Sequence, residues 1–351
     1  MRILVLGATG YVGSRLVPAL IEAGHDVVAA SSSEPAPARF TWGDDVDWVR
    51  CDVIDPDAVA EALVDVEGVC YLVHSLNIRA FEDRDRLGAE VVRDAIPGTD
   101  VRRVVYLSGL VPDAPDEELS KHIHSRLEVE QVLEQAASAS VSVLSLRAGV
   151  VIGAGSTSFE VIRQLATLLL VQPVPSWLEH QVQPIAVSDV QRAVVEAFAS
   201  DDLTGALDIG GPNSVPYARL LAECSRAAGL LRVRIPTVAL PSTIVSLGAA
   251  ALVAAPFWTV ASLVESLRHD MVCRPGETWV PADGKPLLGI REAMSRCFTE
   301  PGATPEAPLP SDPAWTRMRA PVLDELHAPA TVRAGASLAL HRVRSLLPFR
   351  G

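Results

Sequence analysis

The chain has 351 residues, 49% hydrophobic and 21% charged, enough for one large two-lobed domain or two domains around a sizeable core. A formal net charge of −13 excludes nucleic acid as a main partner, because neutralising phosphates needs a basic surface. The five cysteines, Cys51, Cys70, Cys224, Cys273 and Cys297, are scattered and form no C-x-x-C pair, the pattern of reduced thiols in a cytoplasmic protein.

Arg2–Leu6 reads as a short buried strand, too brief and too soon interrupted to be a signal peptide. It runs into Gly7-Ala8-Thr9-Gly10-Tyr11-Val12-Gly13, and an amphipathic helix follows over Val12–Ala23. Strand, glycine turn and helix together cradle a pyrophosphate. Gly7 permits a tight turn, Gly10 lets backbone approach the phosphates, and Gly13 lets helix and strand pack closely. Strand-like Asp26–Ala30, Asp47–Cys51, Gly68–Val73, Arg103–Leu107 and Val141–Leu146 then alternate with helix-like Asp55–Val64, Glu82–Ala95 and Glu117–Ala136. Alternation of this kind predicts an α/β fold, a doubly wound parallel Rossmann-like sheet covered on both faces.

Beyond Gly153 the rhythm weakens. Ser158–Val171 reads as helix, Gln183–Val187 as strand, Asp189–Ala199 and Tyr217–Ala228 as helices. These pieces predict a smaller C-terminal α/β substrate lobe over the carboxyl ends of the strands. The expected division is 1–153 for dinucleotide binding, 154–298 for a substrate lobe interleaved with it, and 299–351 for a proline-rich linker and tail. Ile235–Val264 carries no charge, and Pro241 and Pro256 leave about fourteen residues between them, short for a membrane span. It reads either as a buried helix or lid lining an apolar pocket, or as peripheral membrane contact. Ser337–Gly351 forms a small basic amphipathic segment, a docked tail or a second membrane-surface contact.

The spacing G-x-x-G-x-x-G is joined in order by Cys51-Asp52-Val53, Tyr71-Leu72-Val73-His74-Ser75, Val105-Tyr106-Leu107-Ser108-Gly109, Leu146-Arg147-Ala148-Gly149-Val150-Val151, Gln183-Pro184-Ile185 and Ile209-Gly210-Gly211-Pro212. Over roughly residues 1 to 298 this resembles the atypical, NmrA-like branch of the extended short-chain dehydrogenase/reductase superfamily, and most of all its bacterial NAD(P)H-binding group. The resemblance implies that Gly7, Thr9, Gly10, Tyr11, Val12 and Gly13 hold the pyrophosphate and that Asp52 and Val53 meet the adenine. It also implies that Val73, His74 and Ser75 border the nicotinamide ribose, and that Ala148, Gly149 and Val150 approach the nicotinamide. Dimerisation through helices near 82–96 and 117–136 is a further implication, and Pro308–Trp315 resembles the junction from which longer relatives continue. Ser31, Ser32 and Ser33 end the second strand where an NAD-specific site places an acid. With Arg39 nearby they favour NADP(H); NAD(H) stays open, since the serines can equally form a solvated turn.

Active members of this superfamily carry a tyrosine and a lysine one helical turn apart, with a serine nearby. Ser108 matches the serine, whereas His122 and Arg126 stand at the other two positions. Their i, i+4 spacing puts them on one helical face. A histidine with an ordinary pKa of about 6.5 is a competent acid, and an arginine can grip a ribose. The alternative is a degenerate site with both residues exposed. His122 and His124 are two apart and do not face one metal, and no other metal-ligand spacing occurs. Three functions follow: an oxidoreductase passing hydride between NADP(H) and an apolar carbonyl or enone, a non-catalytic NADP(H) sensor, or a sugar-nucleotide epimerase gripping its substrate through Arg147, Arg163, Arg232 and Arg234.

Overall fold

A computed structural model of the chain describes residues 1–75, 81–168, 171–237, 260, 263 and 266–316. Its centre is a seven-stranded parallel sheet. In chain order the strands are β1 (Arg2–Leu6), β2 (Asp26–Ser31), β3 (Asp47–Arg50), β4 (Gly68–Tyr71), β5 (Arg103–Gly109), β6 (Ser142–Ala148) and, later, β11 (Gly205–Ile209); outside the sheet the short strands β7 (Val151–Ile152) and β10 (Ile185–Ala186) pair with each other, as do β9 (Gln181–Val182) and β12 (Val215–Pro216). The seven lie side by side as β11-β6-β5-β4-β1-β2-β3. The order reverses at β1, which pairs with β2 on one side and β4 on the other. Such a reversal opens a crevice at the carboxyl ends of the strands.

The strand alternation explains why Arg2–Leu6 is apolar without interruption. Ile3 and Val5 face one side, against Leu16 and Leu20 of α1 (Tyr11–Glu22) and Val190 and Val194 of α6 (Val187–Ala199). Leu4 and Leu6 face the other, against Val59 of α2 (Pro56–Ala62), Val92 of α3 (Phe81–Ala95) and Val129 of α4 (Lys121–Glu134). Both faces are covered, so every strand position needs an apolar residue. A third core gathers Phe159 of α5 (Thr157–Leu168), Leu220 of α7 (Tyr217–Ala227) and Met294 of α8 (Ile290–Arg296). Beside it, β8 (Val171–Pro175) pairs in parallel with β13 (Val233–Thr237).

Four expectations need correction. The helix expected from Glu117 starts at Lys121, where the Ser120 hydroxyl accepts from the Ile123 N–H; Asp116–Glu118 is a separate 3-10 turn. The helix expected to reach Val171 ends at Leu168, because Val171 opens β8, whose Pro173 and Pro175 suit an edge strand. The strand Gly205–Ile209 was not expected, yet it completes the main sheet. The segment from Thr299 to Pro313 is no free linker. Glu306 and Ala307 are fully buried, and Asp312 meets Arg15 of α1 in a bidentate pair at 2.7 and 2.9 Å. Most of Ile235–Val264, and all of Ser337–Gly351, lie outside the described residues. No helix among the described residues is long and apolar enough to cross a membrane.

Candidate active site

The glycine turn sits where β1 delivers the chain to the crevice. Gly7 has φ +92°, a left-handed conformation that only glycine adopts freely. A Cβ on Gly13 would come 2.7 Å from Ala8 Cα and 2.8 Å from Ala8 C, and closer still to the Gly7 carbonyl oxygen. Helix α1 therefore packs on the turn at a distance only glycine allows. Its N-cap is Gly10, and no side chain among the described residues caps it. The first-turn N–H groups are left to an anion, which the positive end of the helix favours.

From this turn a cavity of about 890 Å³ runs across the sheet ends into the C-terminal lobe. Its near end is lined by Gly7, Gly10, Tyr11, Val12, Gly13, His74, Ser108, His122, Arg126, Ala148, Gly149 and Val150. The expected phosphate, nicotinamide and catalytic positions thus share one cleft. The Tyr11 phenol turns against Gly153 and is buried without a hydrogen-bond partner among the described residues.

Ser108, the last residue but one of β5, is 3% exposed; its Oγ makes no hydrogen bond of normal geometry among the described residues, although it lies near enough to the Tyr106 phenol to lower that group's pKa. Helix α4 carries His122 and Arg126 on its cleft-facing side, so His122 is not a freely exposed surface residue. Arg126 Nη1 donates to the Leu107 carbonyl at 3.1 Å, and its Cδ lies 3.3 Å from where a Gly109 Cβ would stand. Enclosure by protein pushes the His122 imidazole well below its ordinary pKa, and the Arg126 cation and His74 add to this. His74 is driven down to about 3, by enclosure first and by Arg126 second. His74 nonetheless exposes part of its ring to the open cleft, which moderates the effect. Both rings are neutral at neutral pH. The shift favours the neutral His122 imidazole, which still donates a hydrogen bond through one ring nitrogen, and it runs against the expectation of an ordinary histidine pKa.

Behind the cleft, α3 holds Asp85 at 6% exposure, facing Ser75, Ser125 and Arg126. Burial raises its carboxyl pKa, and the Ser75 hydroxyl and Arg126 charge partly offset this. Ser75 is tied to this cluster and does not line the cavity. Val73 is partly buried against the α3 side of the sheet.

The expected adenosine side lies along the neighbouring strand ends. Thr9 is half-buried in the turn, outside the cavity lining. Ser31 is buried, with its hydroxyl 3.4 Å from that of Ser33, whereas Ser32 is exposed. Val53 is core, packed where a Gly88 Cβ would strike it at 2.7 Å. Asp52 accepts from Arg84 through both oxygens at 2.9 Å. Arg39 does not point at the strand end: it donates to the Ser311 carbonyl at 2.7 Å. The cation beside Ser31 is instead its register partner Arg50, which also holds Glu34 at 3.1 Å.

The proposed sugar-nucleotide grips are occupied elsewhere. Arg147 pairs with buried Glu130, Arg163 with Glu160, and Arg232 donates to the Ala166 and Thr167 carbonyls. Arg234 is exposed on β13. Arg126 is the only charged residue among the described residues that line the cavity. Beyond Val150 the lining is mostly apolar, with Val161, Ile162 and Leu165 of α5, Leu220 and Leu221 of α7, and Leu263, Met271 and Trp315, interrupted by Ser156, Thr157, Ser158, Gln172, Tyr217 and Thr237. Sequence reasoning missed Arg15 and Asp312. Their only signal was an arginine within the apolar stripe of α1.

Residues 3–210 match the NAD dependent epimerase/dehydratase family, and the chain belongs to that family, part of the extended short-chain dehydrogenase/reductase superfamily. An uncharacterized protein of Mycobacterium tuberculosis is 25% identical over 228 residues, covering 64% of this chain and 23% of its own length. The chain thus spans about a quarter of that relative. Among solved structures, a nucleoside-diphosphate-sugar epimerase from Staphylococcus aureus has a TM-score of 0.65 at 14% identity, covering 84% of this chain and 100% of its own. A human epimerase family protein solved with NADPH gives 0.64 at 19%, covering 84% and 98%. UDP-glucose 4-epimerase from Thermus thermophilus, solved with NAD, gives 0.55 at 19%, covering 76% and 99%. At these identities the likeness is one of fold.

Proposed function

We propose that this chain is an oxidoreductase of the atypical short-chain type, NmrA-like in its motifs, acting on an apolar carbonyl or enone with NADP(H). The cleft carries the proposal: one continuous cavity joins an uncapped glycine turn to Ser108, His122 and Arg126, and then opens into an apolar chamber. The α1 N–H groups, with Gly7 and Gly13 clearing the space, hold the pyrophosphate. The solved human relative with NADPH and the Thermus relative with NAD support a nicotinamide dinucleotide in this position. No acid stands at Ser31–Ser33, Glu34 is held by Arg50, and Arg50 beside Ser31 suits a 2′-phosphate. His74 borders the nicotinamide ribose and Ala148, Gly149 and Val150 the nicotinamide, with Val73 and Ser75 behind His74 and with Asp52 and Val53 toward the adenine end.

The nicotinamide, when bound, supplies or accepts the hydride. Ser108 and neutral His122 donate hydrogen bonds to the substrate oxygen, and Arg126 stabilises the negative charge that gathers there. Since neither donor is a cationic acid, the proton that completes reduction comes from water relayed through Ser108. The Tyr/Lys role is thereby divided: His122 positions the oxygen and Arg126 supplies the charge.

An epimerase acting on a nucleotide sugar is the second reading, favoured by the family match. The apolar lining and the committed arginines speak for the first. The discriminating experiment follows NADPH absorbance with a panel of lipophilic ketones and enones, beside UDP-sugar epimerisation. Turnover of the ketones supports the proposal. UDP-sugar turnover without ketone reduction replaces it with the second reading, and nucleotide binding with no turnover replaces it with a sensor.

A further inference from the structure

The far end of the cavity is not uniformly apolar. Three polar atoms there have no hydrogen-bond partner among the described residues: Gln172 Oε1, Trp177 Nε1 and Thr237 Oγ1. They come from one corner of the fold. Gln172 lies on β8 and Trp177 two residues beyond its end, while Thr237 closes β13 opposite Pro175. Gln172 is 1% exposed, so its free carbonyl cannot turn to bulk water. The amide orientation is fixed by its surroundings. Nε2 lies 3.3 Å from the Ala166 carbonyl, a pure acceptor. It also lies 3.3 Å from Ser225 Oγ, whose own proton goes to the Leu221 carbonyl at 2.8 Å. Both neighbours require an N–H, so the NH2 group must face them and Oε1 is the atom left without a partner. A buried acceptor and a buried indole donor left unpaired on two residues that line one cavity are costly unless a ligand meets them.

We infer that this corner is a second binding locus, which takes a neutral hydroxyl at the end of an elongated lipophilic ligand remote from Ser108. A hydroxyl is the small group that donates to Gln172 Oε1 and accepts from Trp177 Nε1 at once. It is uncharged because no Asp, Glu or Lys lines the cavity among the described residues, and Arg126 belongs to the opposite end. Val161, Leu165 and Leu267, packed against Trp177, supply the apolar stretch between. The inference rests on the oxidoreductase reading only in placing the reacting carbon near Ser108; the binding locus itself does not depend on turnover.

The test is calorimetric titration of the whole protein with 10-hydroxydecan-2-one and decan-2-one, in wild type and in Trp177→Phe and Gln172→Met. The hydroxyketone is expected to bind at least five-fold more tightly than the plain ketone in wild type. That gap collapses in both variants while decan-2-one affinity changes less than two-fold. Trp177→Phe keeps a ring in the apolar cluster, so a melting curve like that of wild type guards against simple unfolding. Equal binding of the two ketones, binding of neither, or an undiminished gap in both variants overturns the inference. NADPH titration on the same samples separates the two claims: loss of NADPH binding with the hydroxyketone preference intact sinks the oxidoreductase reading and leaves this locus standing.

Discussion

Replacing Asp312 with alanine strikes the contact that holds the C-terminal segment to the Rossmann sheet. Arg15 spends its donors as follows: Nη1 and Nη2 on Asp312 at 2.7 and 2.9 Å, Nη1 also on the Tyr11 carbonyl at 3.4 Å, Nη2 also on the Ala154 and Ala307 carbonyls at 2.8 and 3.0 Å, and Nε on the Pro305 carbonyl at 2.9 Å. The side chains are 1% and 2% exposed. Asp312→Ala leaves a guanidinium cation buried with carbonyls alone, which costs about 3–5 kcal/mol. An unfolding entropy of about 2.1 cal/mol/K per residue over 351 residues converts this to a fall in Tm of about 4–7 °C. The double variant Arg15→Met with Asp312→Leu should recover part of that loss, because the buried charge is gone although the carbonyls of Tyr11, Ala154, Pro305 and Ala307 lose a donor. Calorimetric melting of the three proteins is the assay. Asp312→Ala melting within about 1 °C of wild type would refute the reasoning and return Thr299–Pro313 to the status of a loose linker.

Gly13→Ala drives a methyl into the Gly7 carbonyl and Ala8, so it should cost about 1–3 kcal/mol in stability and weaken NADPH by at least ten-fold; unchanged affinity by calorimetry would remove the turn from the site. Ser108→Ala and His122→Ala should each lower kcat/KM for a turned-over ketone by about 10²-fold with little change in NADPH affinity, and full turnover in His122→Ala would eliminate its role. Acidification should destabilise the fold. His74 and His122 have folded pKa values below their unfolded value near 6.5, so the unfolded state binds more protons as pH falls below that value. The stabilisation is present above pH about 6.5 and is lost as pH falls. Urea midpoints from pH 7.5 to 4.5 should decline less steeply in His122→Asn than in wild type, and parallel curves would contradict the assignment.

The first half of the fold was legible because each strand is buried on both faces and each helix shows one apolar stripe. The glycine turn was legible because its geometry admits no other residue at Gly7 and Gly13. What failed depends on distant partners. Gly205–Ile209 is a poor strand by sequence since it opens on Gly205 and holds Asp208, a buried carboxylate that Arg274, 66 positions on, makes tolerable at 2.8 Å. The linker looked free because nothing near Asp312 announces Arg15. His122 looked like an ordinary acid because pKa depression comes from enclosure and from Arg126, which spacing alone does not weigh. Gln172 and Trp177 gave no signal, since an unsatisfied atom exists only once its neighbours are placed.

The central claim is that the glycine turn holds a nicotinamide dinucleotide with a 2′-phosphate. Calorimetric titration of the purified protein with NADPH and with NADH at equal ionic strength tests it most directly. The account predicts saturable NADPH binding at least ten-fold tighter than NADH. Equal affinities would contradict the Ser31 and Arg50 assignment, and binding of neither nucleotide would contradict the claim itself.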